Sequence, residues 1–318
     1  MKKIKSTDPT RTITLRRAFM GEMKRRFTMI ARNVRELIVE KDVFGLNEPT
    51  PLKILATSQE WRFLTDAAKI KAFQQWLQQQ VDLGLLETNV SPPWMAKYVE
   101  SAYKKGYLRA YSLGRKASPL ASTDFLKGSR DSFLATAFAG PIAVNRLQFL
   151  YTRAYTNLKG VTAAMDVQLS RILANGLSRG DHSSVIAREM TKTIAGLTRT
   201  RANAIARTEI IYAHAEGQLD SLQALNIEKV AAMAEWSTAG DAKVCPQCEP
   251  LEGVIMMIDE ARGLIPLHPN CRCMWLPAGV GEDKTGQLWG ASRDTAIKKS
   301  LAAQGGRLKS KWPGKNLI

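Results

Sequence analysis

All four cysteines of the chain fall within residues 245–273, in the stretches VCPQC (244–248) and HPNCRC (268–273), with His268 between the two pairs. Cys245 and Cys248 have the C-x-x-C spacing by which two thiolates reach one tetrahedral ion from a tight turn, and Pro246 shapes that turn. His268, Cys271 and Cys273 bring three further donors on a second segment. In an extended segment Cys271 and Cys273 share a face and can ligate together; His268 with Cys271 is the turn-like alternative. Zinc takes four ligands and the sequence offers five, so the set stays open among them. A tetrahedral site closed by protein groups leaves no position for water or substrate, which makes a structural zinc the expected cofactor.

The surroundings agree with a metal staple. Residues 226–280 read as a small β-rich module: KVAAMAEWST is extended, EPLEGVIMM turns into a short strand, and CRCMWLP is a strand ended by proline. A module of that size buries little and needs a staple. The start MKKIKSTDPTRT has no apolar run after its lysines, and stretches such as VIMMI are too short to span a bilayer, so the reading is a cytosolic product without a membrane segment. In that reducing setting, clustered cysteines hold metal rather than pair as disulfides.

Upstream, the pattern is helical. Residues 9–40 show Leu15, Phe19, Met23, Phe27, Ile30, Val34 and Leu37 at spacings of three and four behind Asp8 and Pro9, one apolar stripe on a basic helix. Further helices are expected at 65–82, stopping near Gly84, at 92–114 with Ser91 as cap, and at 122–138, 141–158, 161–176, 183–195 and 198–225. Ala102, Gly106, Ala110 and Gly114 form a row of small side chains that lets another backbone approach closely, and Ala202, Ala206, Ala213 and Gly217 form a second. On the 198–225 helix, Glu209 shares a face with Ile205, Tyr212, Glu216 and Leu219, where an unpaired carboxylate is costly, so a partner is expected. The fold class is therefore α+β, a mainly helical body with a small β-rich zinc-binding-like C-terminal module. The tail at 281–318 is polar and basic and reads as an arm that orders only against a partner.

Charge narrows the partners. The chain has 46 Lys and Arg against 29 Asp and Glu, net +17, which points to a polyanion. The excess is spread over residues 1–40, 91–130 and 281–318, so no single compact patch stands out in the sequence.

WSTAGDAKVCPQCEPLEG followed by IPLHPNCRC and Pro277 resembles the C-terminal signature of the phage head morphogenesis family named for the Mu F protein, the minor head (minor capsid) proteins of tailed phages. The matching features are the approach from Trp236 to Asp241, the Val-Cys-Pro-x-Cys step, the Leu251 to Gly253 turn, the His-Pro-x-Cys-Arg-Cys ending and an upstream Ala-Arg-Thr-Glu helix holding Arg207 and Glu209. The resemblance is strong over residues 165–278 and weaker upstream. It implies a Mu F-like domain at 161–280 behind a helical N-terminal region at 1–160. It also implies a structural protein of the virion, present in few copies inside the head near the portal. Its implied partners are the portal protein, the major capsid or scaffold protein, and double-stranded DNA held without sequence specificity. During assembly such a protein is in the host cytoplasm.

Two other classes compete. A metal-dependent nuclease draws support from His268 and Asn270 beside the cysteines, but the sequence holds three histidines, and if His268 is a ligand no obvious base remains. A zinc-containing nucleic-acid-binding protein usually follows its metal knuckle with a basic helix or interleaved aromatics, and CRCMWLPAG offers Arg272 and Trp275 alone, with Trp275 read as core. Arg207 and Asp241 are expected to fasten the β module to the helix rather than to act on a substrate, so no catalytic residue is assigned.

Overall fold

The computed structural model describes residues 8–47, 65–87, 89, 91–117, 130–225, 233–278 and 290–303. In chain order the elements are α1 (Ile13–Arg35), α2 (Asp66–Gln80), α3 (Ala96–Ala117), α4 (Arg130–Ala139), α5 (Pro141–Arg179), α6 (Ser183–Leu197), α7 (Asn203–Leu225), β1 (Met233–Ser237), β2 (Ile255–Met257), the single turn α8 (Ile258–Ala261), β3 (Met274–Pro277) and α9 (Gly290–Ala303). The protein is mainly helical with one small antiparallel sheet, as its patterning predicts. It forms two compact units: one from the described residues of 1–17, 97–151 and 207–318, the other from those of 18–96 and 152–206.

The second unit rests on the apolar stripe of α1. Phe19, Met23, Phe27, Ile30 and Val34 are all at most 1% exposed, because spacings of three and four place them in one sector of the helix. Phe73, Leu77, Val81, Leu85 and Leu86 bury a matching stripe on α2 and the wide helical turn that follows it. Trp94 locks the entry to α3: its ring meets Phe19 edge-on at 5.5 Å and its Nε1 donates to the Leu85 carbonyl at 2.8 Å. Arg26 stacks over that ring at 4.5 Å while its guanidinium donates to Glu22, Glu87 and the Gly84 carbonyl.

Several boundaries differ from the periodicity. α1 begins at Ile13, since residues 8–12 form a turn in which the Asp8 carboxylate accepts from Thr10 Oγ1 and from the Ile13 amide at 2.8 Å. Asp8 thus caps the helix from five residues upstream rather than from its edge. Helical structure runs through Gly84 to Leu86 and ends at Glu87 in a left-handed conformation, φ 49°. A Cβ on Gly84 would lie 2.6 Å from the Met29 methyl, the far end of a flexible side chain. α3 starts at Ala96, after a turn that buries Trp94 and Met95. Two expected helices, 141–158 and 161–176, are one helix of 39 residues, because Gly160 weakens a helix without capping it. Of the helix expected at 122–138, residues 122–129 lie outside the described residues.

In the first unit the small-residue rows meet. A Cβ on Gly106 of α3 would sit 1.9 Å from the His214 carbonyl oxygen of α7, and a Cβ on Gly217 of α7 would sit 2.2 Å from the Tyr103 carbonyl oxygen of α3. Two reciprocal glycines therefore set the separation of these helices, with Ala102, Ala110 and Ala213 fully buried alongside.

The same crossing buries His214 at 1% exposure, and burial, helped by the charge of Arg109 and opposed by Asp8, lowers its pKa to about 3. A histidine depressed in the folded state contributes stability that is fully present above its unfolded value of about 6.5 and is lost as pH falls below it. Between pH 6.5 and 5 the loss should be about 2 kcal/mol, at about 1.4 kcal/mol per unit. Urea midpoints over that window should fall for the wild type and stay flatter for His214→Gln.

Candidate metal centre

β1 is the central strand of the sheet, antiparallel to β2 on one side and to β3 on the other. Trp236 pairs with Trp275 across β1 and β3, their rings edge-on at 5.2 Å and both fully buried, so Trp275 is core. The free edge of β3 is satisfied by a side chain: Gln218 of α7 donates Nε2 to the Trp275 carbonyl at 2.7 Å and accepts from its amide at 3.1 Å. A buried glutamine amide presents one donor and one acceptor, which is what a missing strand would supply. Gly253 turns the chain between β1 and β2 with φ 79°, a conformation that favours glycine, and its amide donates to the Trp236 carbonyl.

Two turns bring the donors together. In the first, the amides of Cys248 and Glu249 both donate to the Cys245 carbonyl at 3.0 Å, which folds the C-x-x-C segment back on itself. In the second, the Cys271 amide donates to the His268 carbonyl at 3.2 Å and Asn270 takes a left-handed φ of 64°, which asparagine tolerates. His268 Nε2 lies 3.0 Å from Cys245 Sγ and 3.2 Å from Cys248 Sγ, and Cys248 Sγ lies 4.0 Å from Cys271 Sγ. Cys245, Cys248 and His268 form one group with donor atoms within 4.8 Å, and Cys248, Cys271 and Cys273 form another. All five donors named from the sequence thus converge, and Cys248 belongs to both groups.

The arrangement fits a tetrahedral thiolate and imidazole site. Bond lengths of about 2.3 Å to sulfur and 2.0–2.1 Å to nitrogen place tetrahedral donors roughly 3.5 Å apart for S···N and 3.8 Å for S···S; the S···N separations of 3.0 and 3.2 Å are shorter and the S···S separation of 4.0 Å is longer. A cavity of about 30 Å³ is lined by Cys245, Cys248, His268 and Cys273 together with Lys243, Asn270 and Arg272. Hydrogen bonding to Cys271 raises His268 to about 9, and hydrogen bonding from Cys248 lowers Cys271 well below an ordinary thiol. Cys248, hydrogen-bonded to Cys271, and Cys273 are pushed up instead, so Cys271 is the thiol held toward thiolate, the form that binds metal. His268 Nδ1 faces the Pro269 carbonyl at 2.7 Å, an outer contact that orients the ring with Nε2 toward the thiols.

The module borrows its core. Cys248, Cys271 and Cys273 are buried together with Ile211, Ala215, Leu219 and Leu222 of α7 and with Ala296 and Ile297 of α9. α9 also closes over the first turn, Ser300 Oγ donating to the Gln247 carbonyl at 2.7 Å between the two cysteines. Within the 281–318 tail, residues 290–303 are therefore a packed helix, contrary to the sequence reading; residues 281–289 and 304–318 lie outside the described residues.

The remaining motif residues serve the scaffold. Arg207 Nη1 donates to Asn270 Oδ1 at 2.9 Å, tying α7 to the second turn. Asp241 instead closes the module on itself, accepting both Nη atoms of Arg272 at 2.6 and 2.7 Å, and this pairing lowers its pKa to about 2. Glu209 is 2% exposed and has an interaction partner, as its surroundings require.

A polar network beside these residues has no counterpart in the sequence reading. Glu216 and Asp220, both 2% exposed at the side chain, pair with Arg146 of α5 and with Arg262 just after α8, and Tyr103 donates to Asp220 at 2.9 Å. The partners are 42 to 117 positions apart, so no local spacing announces them.

Comparison with known proteins gives one family. The family model described as Phage Mu protein F like protein matches residues 168–276, about a third of the chain, from within α5 to within β3. The match includes all five donors and is consistent with a phage head morphogenesis protein of the Mu F family. No curated protein and no solved structure matches the chain.

Proposed function

We propose that this chain is a minor head protein of a tailed phage. In this reading it sits inside the head at the portal vertex and acts in head assembly, DNA packaging or ejection, with DNA contact that ignores sequence. The observation that carries the reading is the Mu F-like match over residues 168–276, which spans the metal-centred module and the α7 helix that holds it. The net charge of +17 supports a polyanionic surrounding, since basic side chains gain from counterion release along any duplex.

The centre acts in this account as a staple. Zinc there would be held by four of Cys245, Cys248, His268, Cys271 and Cys273, and it would supply folding free energy rather than reactivity. His268 points its Nε2 at two thiols, which supports reading it as a ligand rather than as a base. Nearby, Arg207 is engaged with Asn270 and Arg272 with Asp241, which supports a non-enzymatic role.

Quantitative peptide analysis of purified phage particles tests the proposal. The chain should be present at a small number of copies relative to the major capsid protein, and the purified protein should co-sediment with its portal protein. Absence from the particles would overturn the reading.

A further inference from the structure

α1 presents two opposed faces, and the outer one is a line of cations. Taking 100° per residue, Gly21, Lys24, Arg25, Thr28, Arg32 and Arg35 fall within a sector of about 100°, opposite the buried stripe. Lys24, Arg25, Arg32 and Arg35 are exposed. Glu22 is the one carboxylate on the helix, and it is consumed by Arg25 and Arg26 at 2.6 and 2.8 Å. Lys24, Arg32 and Arg35 have no hydrogen-bonded or ion-paired partner among the described residues. Gly21 adds no side chain to this face, and a Cβ there would meet nothing within 4 Å. Beside it Gly21, Lys24, Arg25, Thr28, Met29 and Arg32 line an open cleft of about 460 Å³.

We propose that this face of α1 is a docking surface for the phosphate backbone of double-stranded DNA. From Lys24 to Arg35 the helix rises about 16 Å, the axial length of roughly five phosphates on one strand. Lys24, Arg32 and Arg35 along that length, with Arg25 and the Thr28 hydroxyl beside them, suit a row of monoanions. Contacts to phosphate position DNA without selecting sequence. The inference rests on the proposed role beside packaged DNA and names the surface that meets it.

The test uses the full chain and linear double-stranded DNA of mixed sequence, with affinity measured from 50 to 300 mM salt. The stripe variant carries Lys24→Gln, Arg32→Gln and Arg35→Gln. The control removes the same charge from exposed positions on α5 and α6, through Lys159→Gln, Arg171→Gln and Lys192→Gln. At about 0.9 per phosphate contact, the slope of log Kobs against log salt should drop by about 2.7 in the stripe variant and stay near the wild type in the control. Equal slopes in the two variants, with the wild type binding, would overturn the α1 surface and leave DNA contact standing. A wild type that does not bind DNA would overturn both. Tighter binding of poly-glutamate than of DNA, lost in the stripe variant, would overturn the nucleic-acid assignment in favour of an acidic protein.

Discussion

Replacing Cys248 with serine should strip the metal from the protein and release residues 233–278 from their protected state. Cys248 lies in both donor groups, within 3.2 Å of His268 Nε2 and 4.0 Å of Cys271 Sγ, and is the donor that the two groups share. Metal binding to thiolate sites contributes on the order of 10 kcal/mol in small zinc modules, far more than any single contact in this one. The damage should spread beyond the strands. Cys248 packs in one core with Leu219 and Leu222 of α7 and Ile297 of α9, so amide exchange should accelerate across α9 and the C-terminal half of α7 as well. Residues 18–35 of α1 and all of α2 belong to the other compact unit and should keep their protection. Cys245→Ser should be milder, since Cys245 is half-buried and belongs to one donor group. Hydrogen exchange on the two variants, with zinc content measured in parallel, checks the ranking.

The second large effect is at the α3 and α7 crossing. Gly106→Ala should cost about 3 kcal/mol or more, because a methyl 1.9 Å from a backbone carbonyl cannot be relieved by a rotamer change and forces two helices apart. Gly217→Ala meets the Tyr103 carbonyl at 2.2 Å and should behave alike. Combining them should cost less than the sum, since one separation of the helices relieves both clashes. The same substitution at Gly160, where nothing lies within 4 Å, should stabilise by about 1 kcal/mol through helix propensity alone. Urea unfolding of the four variants measures all of these values.

These two sites also show what a sequence discloses. The donor cluster is readable because its chemistry is carried by rare residue types at short spacings. The small-residue rows at Gly106 and Gly217 are readable as rows, but which row faces which depends on a contact 108 to 114 positions away, between Gly106 and His214 and between Gly217 and Tyr103. Asp241 shows the limit most plainly: reading it as a tie to the helix was reasonable by type, yet its guanidinium partner is Arg272, within the module. Gln218 was invisible for a different reason. A glutamine on a helix is ordinary, and its task as a surrogate strand appears once β3 is seen to have a bare edge. Boundaries differ where the local signal is weak, as at Gly84, where helical structure runs on to Leu86 because an interior glycine weakens a helix without ending it. The C-terminal arm failed likewise. Its composition is polar, and the few apolar residues that dock it, Ala296, Ile297 and Leu301, carry the packing.

The charge pattern carries a parallel lesson. Counted along the chain, the basic residues look diffuse; on α1 the helical repeat sorts them into one exposed face opposite a buried one. Net charge speaks to a polyanionic partner, and only the fold says which cations are free to meet it.

In the proposed function, four of the five cysteine and histidine donors hold a structural metal staple in the Mu F-like segment. Native mass spectrometry of the untagged full chain tests it most directly. The account predicts one zinc per chain, retained through purification and lost together with the folded state of residues 233–278 on chelation. A folded chain with no bound metal, its thiols freely alkylated and its module intact, would contradict it.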